Sequence, residues 1–234
     1  MAARELTACA LMTALLIAVQ VALGFLAGVE LVTVLFLVFC DTFGARCGSI
    51  VAVSFSLLRC ILWGFYPNVV CLYLIYFTLF ALLFGTLGKR KKPVAVWVCP
   101  LLLGILLFAT GYFALNGVPV SILYRKKLAI MLWILFGILL ALLLFYFVLI
   151  WLKRGKEGRE VASLTALAAM CTVFFTLLDD VISPLINGYT FEAAIAYFYG
   201  GFLSMIPQTI CTILSVGILF VPLRKIFDFA AKKR

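Results

Sequence analysis

The sequence predicts an all-α, polytopic membrane bundle of about eight transmembrane helices, on three observations. Of 234 residues, 67% are hydrophobic and 12% charged, whereas a soluble domain is nearer half apolar and a quarter charged. The apolar residues fall in runs of roughly 20, the helical length that crosses a ~30 Å hydrocarbon core. These runs are continuous and do not alternate, which excludes the strands of a membrane barrel.

The first run, 6–27, contains TACALMTALLIAVQVALG. No small-residue cleavage pattern follows a short apolar stretch, so it is expected as a retained helix. Ala10, Ala14, Ala18 and Ala22 recur every four residues, which places their methyls in one stripe. Such a stripe lets another helix approach closely where the hydrophobic effect no longer drives association. The second run, 29–45, opens at Glu30 and is short for a span. The third, 47–66, carries Arg59, and the fourth, 69–88, follows FYPNV and ends at KRKK. Runs five and six, 94–116 and 128–152, are separated by YRKK. The seventh, 161–182, follows GKEGR and closes on LLDD. The eighth, 193–223, contains Pro207 and Gln208. No soluble stretch is long enough for a second domain, so residues 1–234 read as one integral membrane domain.

Charge sets the expected orientation. With the N-terminus inside, 15 of the 19 basic residues fall in cytoplasmic positions, chiefly in 89–92, 153–159 and 224–234. Only Arg125, Lys126 and Lys127 lie outside, and Arg59 lies within a helix. This asymmetry predicts that both termini are cytoplasmic. The net charge of +10 then reflects topology and anionic lipid rather than nucleic acid.

Several chemistries are excluded or disfavoured. The chain has no histidine, which removes His-based dyads and triads and the commonest metal ligand. Its eight cysteines are scattered, without a C-x-x-C pair, and read as small core residues rather than a metal site. There is no G-x-x-x-x-G-K-[ST], so the chain does not energise itself with ATP. Paired aspartates without a second acidic motif do not make a metal-dependent membrane enzyme. The expectation is a non-enzyme without a cofactor.

The remaining ionisable residues converge, in this orientation, on the outer half. Glu30 starts the second helix there. Arg59 lies 12 residues beyond Cys47, about 18 Å along the axis. Asp179 and Asp180 end the seventh helix. A charge near the bilayer centre costs roughly 2.5–3.5 kcal/mol, so Arg59 is expected to face the interior and meet Glu30, Asp179 or Asp180. Adjacent helical residues point about 100° apart, so only one of the two aspartates faces such a cavity; which one is open. Tyr73, with Trp63, Tyr66 and Tyr76, reads either as an interfacial belt or as ring-stacking walls, with Asn68 and Asn187 as amide partners. Asp41 is expected to pair with Arg46.

ACALMTALLIAVQVALGFLAGVELVTVLFLVF resembles the opening of the substrate-binding (S) components of energy-coupling factor vitamin transporters. The likeness continues through RCGSIVAVSFSLLRCILWGFYPNVVCLYLIYFTLFALLFG and returns in YFYGGFLSMIPQTICTILSVGILFVPLRKIF. The resemblance implies a six-helix core, with 94–152 as an inserted helix pair. It implies high-affinity capture of a vitamin-like solute at the plasma membrane, through Glu30, Arg59, Tyr73, Asp179 and Asn187. It also implies docking through Ala10, Ala14 and Ala18 on a transmembrane coupling subunit that works with two cytoplasmic ATPase subunits. A self-sufficient transporter, with Asp179 or Asp180 taking up a proton, is the alternative reading.

Overall fold

The computed structural model describes residues 3–26, 28–89, 94–117, 122–152 and 155–232. Among these there are eight α-helices and no strand: α1 (Ala3–Leu23), α2 (Val32–Phe43), α3 (Ala45–Trp63), α4 (Pro67–Lys89), α5 (Val94–Asn116), α6 (Ile122–Leu152), α7 (Lys156–Ile186) and α8 (Phe191–Lys232). Seven are long and apolar enough to cross a membrane, and α2 is the shorter exception. The molecule is therefore a multi-pass helical membrane bundle. The basic stretches at 90–92 and 153–154 lie outside the described residues.

The chain divides into two compact units, Met1–Lys92 with Cys171–Arg234, and Pro93–Met170. The second holds α5, α6 and the first half of α7. There α5 packs along α6, with Cys99, Leu103, Leu139, Leu142 and Tyr146 buried and Trp97, Leu101 and Phe108 exposed. In α7, residues 161–173 are buried without a break. Its hydroxyls make that burial tolerable by bonding within the helix, Ser163 to the Arg159 carbonyl at 2.8 Å and Thr165 to the Val161 carbonyl at 2.7 Å. A buried hydroxyl without such a partner costs about 1–3 kcal/mol.

The first unit is built around α2. Its 12 residues extend about 18 Å, well short of the hydrocarbon thickness, and nine of them are buried by α1, α3, α4 and α8. A helix apolar on all sides belongs in an interior. Gly44, at φ 82°, is the whole connection to α3, a backbone angle that side-chain-bearing residues rarely adopt. Small residues then set the spacing. A Cβ on Gly85 would run into the backbone of Ala45, and one on Gly88 into the backbone of Asp41, so α4 lies against both neighbours at backbone distance. Aromatic rings fill the space between. Phe36 contacts Phe77 and Phe80 at 5.6 Å each, and Phe55 contacts Phe77 edge-on at 5.0 Å; each such pair adds about 0.5–1.5 kcal/mol beyond packing area.

Asp41 does not pair with Arg46, which is exposed. Arg224 Nε of α8 stands 3.1 Å from Asp41 Oδ2 instead. Arg46 sits beyond the Gly44 turn, on a different helix axis from Asp41, so closeness in sequence does not bring the two side chains together. None of the eight cysteines forms a disulfide among the described residues, and six are buried, as expected of small core residues.

Candidate functional site

A cavity of about 260 Å³ opens within the first unit where α1 ends and α2 begins. Its polar lining comes from Gln20 and Glu30, with Thr33, Thr172 and Gln208. Its apolar walls are largely aromatic: Phe55, Tyr73, Tyr76, Phe77 and Phe175. Size and lining match the small end of ligand pockets, which are apolar concavities with a few placed polar groups.

Local structure explains how these groups arrive together. The connection between α1 and α2 runs over the top of α2. Gly28, at φ 81°, lies so close to Pro207 of α8 that a Cβ there would stand 2.8 Å from the proline ring. Glu30 is tethered by its main chain: its N–H donates to Cys211 Sγ at 3.2 Å, and the thiol donates to its carbonyl at 3.4 Å. The side chain is thereby left to the cavity. Thr33 Oγ1 donates to Glu30 Oε1 at 3.2 Å. Burial pushes the Glu30 carboxyl above its ordinary value, and the Thr33 hydrogen bond pulls weakly the other way; desolvation disfavours the charged form and a donated proton favours it.

Gln20 and Arg59 complete the setting. Gln20 Nε2 donates to the Tyr73 hydroxyl at 3.4 Å, while its Oε1 is buried without a hydrogen-bond partner among the described residues. The Arg59 guanidinium lies 4.1 Å from the centroid of Tyr73 and 5.8 Å from that of Trp63. Arg59 therefore does not meet a carboxylate as the sequence suggested. It is held by ring faces, whose quadrupole attracts a cation, and its Nε has no hydrogen-bond partner among the described residues.

Of the five binding residues read from sequence, Glu30 and Tyr73 line the cavity and Arg59 stacks on Tyr73 without lining it. Asp179 belongs to a separate polar chain. Asn68 Nδ2 donates to Ser183 Oγ at 3.0 Å, Ser183 Oγ donates to Asp179 Oδ1 at 2.6 Å, and the Tyr197 hydroxyl donates to Asp179 Oδ2 at 2.9 Å. This chain ties the start of α4, the end of α7 and the start of α8. Asp180 is buried at 6% exposure, its carboxylate pressed against Gly201 of α8. Asn187 is exposed, with its N–H on the Ser183 carbonyl.

Sequence reasoning passed over Gln20, Thr33 and Phe175. For Gln20 the signal was present, since an amide inside an apolar helix needs a partner. Thr33 and Phe175 carry no such mark. Ala10, Ala14 and Ala18, which the sequence offered for docking, are exposed on α1, while Cys9, Met12 and Leu16 of the same helix are buried. Among the described residues no group of three or more Cys, Asp or Glu side chains is placed to hold a metal.

No family model, no curated protein and no solved structure matches this chain.

Proposed function

We propose that this protein captures a small, vitamin-like solute at the plasma membrane as the substrate-specific subunit of an ATP-driven importer of the energy-coupling factor type. The observation that carries the reading is the cavity at the α1–α2 connection, where an acid and two amides meet a wall of aromatic rings. Such a hollow suits a polar ring compound. The sequence resemblance supplies the class of machine. In this reading Ala10, Ala14 and Ala18 dock on a transmembrane coupling subunit, two cytoplasmic ATPase subunits provide the energy, and both termini face the cytoplasm. Glu30 and Tyr73 contact the solute, Arg59 positions Tyr73, and Asp179 and Asn187 fix the neighbouring helix ends.

Mass spectrometry of small molecules that co-purify with the chain tests the capture step. For the coupling step, Ala14→Trp blocks uptake in cells while the purified variant still binds its solute. Uptake that survives the tryptophan removes the docking stripe from the mechanism.

One observation favours a second reading, a proton-coupled transporter. Asp180 is buried without a hydrogen-bond donor among the described residues, beside an Asp179 that has two. Intramembrane acids of this kind mark proton paths. Vesicles containing this chain alone separate the two: acid-driven uptake supports the second reading, and binding without accumulation supports the first.

A further inference from the structure

We propose that the solute held in the α1–α2 cavity is a small aromatic or heteroaromatic cation bearing N–H donors, such as a protonated amino-heterocycle or an aryl amidinium. This rests on the capture reading above and narrows its substrate class.

Among the described residues that line the cavity, Glu30 is the only carboxylate and there is no Lys or Arg. One of its oxygens accepts from Thr33, and no ion pair holds the carboxylate. Arg59 stacks on the Tyr73 ring and is not part of the lining. A carboxylate in a poorly solvated hollow attracts a cation far more strongly than one in water. The N-terminus of α2 points into the same space, and its half-unit of positive charge would draw an anion. The full negative charge of Glu30, two residues before Val32, outweighs it.

The second observation is independent of charge. Gln20 lines the cavity, and the oxygen of its carboxamide, buried in that wall, has no donor to satisfy it among the described residues. Buried acceptors are seldom left unpaired in folded proteins. Glu30 presents an acceptor and Gln20 holds an unpaired one in the wall, so the complementary ligand presents donors. The aromatic walls supply the rest: Tyr76 and Phe175 meet edge to face at 4.8 Å, and Tyr73 meets Phe175 at 5.7 Å. Such faces take a flat ring and favour a positive one. A cavity of about 260 Å³ admits one substituted ring and excludes an extended conjugate.

Three near-isosteric probes separate charge from shape. Benzamidinium, benzamide and benzoate differ by one charge at each step on the same ring. Titration calorimetry with the full chain in detergent is expected to show benzamidinium binding at least tenfold more tightly than benzamide, with benzoate weakest. Glu30→Gln keeps the acceptor for Thr33 and removes the charge, so it should bring benzamidinium and benzamide within threefold of each other at a melting temperature no lower than that of the native protein. Equal binding of all three, a preference for benzoate, or a benzamidinium preference that survives Glu30→Gln overturns the cation while leaving capture standing. Binding of none of the three takes down both.

Discussion

The guanidinium of Arg224 meets the carboxylate of Asp41 at 3.1 Å, joining the end of α2 to the far part of α8. Asp41 is 4% exposed and Arg224 31%, so the acid depends on the pair more than the base does. Removing one partner of a buried pair costs ~3–5 kcal/mol, and less where one member reaches solvent. Arg224→Ala is therefore expected to destabilise the first unit by about 1–3 kcal/mol, read from unfolding in detergent. Adding Asp41→Asn should recover part of that loss. A double variant no more stable than the single one means that the pair is not what holds Asp41.

Arg59 acts through Tyr73. A stacked cation contributes ~0.5–2 kcal/mol, so Arg59→Met should loosen the ring and weaken solute binding about three- to tenfold. Arg59→Lys keeps the charge without the flat stacking surface and falls between. Unchanged affinity in both variants detaches Arg59 from the site.

Because burial raises the Glu30 carboxyl above its ordinary value, affinity and stability respond to pH in opposite directions. Protonated Glu30 carries no charge, so cation affinity falls as pH drops through the raised value and levels off above it. The folded state holds this proton more tightly than the unfolded state. The Glu30 contribution to stability is therefore present at low pH and is lost as pH rises through the same range. Tyr73 and Tyr76, the other ionisable groups lining the cavity, belong to a residue type that titrates near 10 in water. Affinity measured across pH should slope in the native protein and run flat in Glu30→Gln.

Gly201 gives Asp180 its place. A Cβ there would stand 2.5 Å from each carboxylate oxygen of Asp180, so α7 and α8 approach through a missing side chain. Gly201→Ala should cost about 1–3 kcal/mol, the usual scale of overpacking. Asp180→Ala in the same chain should return most of it, since residues in contact do not act additively. Additive losses exclude the contact as the cause.

The helices were legible in the sequence because continuous apolar runs can satisfy their backbone inside lipid in few ways. Their ends were less so. The run 161–182 grew into Lys156–Ile186, past Pro184, and 193–223, which already ran through Pro207 and Pro222, into Phe191–Lys232. Proline weakens a helix, but packing overrides that where neighbours support it. Glu30 and Tyr73 were legible as candidates because polar groups in lipid-spanning runs need a reason. Their partners were not. Asp41 finds Arg224 and Glu30 finds Cys211 through α8, and nothing local announces contacts that far along the chain. Arg59 turned to rings where a carboxylate was expected, since helix spacing fixes its height and not its neighbour.

The brevity of α2 has a consequence for depth. At about 18 Å it leaves roughly 12 Å of a ~30 Å hydrocarbon slab for something other than regular helix to occupy. The cavity lies at that end, lined there by Gly24, Leu26, Gly28, Val29, Glu30 and Leu31. Its floor is thus a truncated column beside longer ones, and adding one turn ahead of Val32 would fill the recess and carry Glu30 and Leu31 out of its lining.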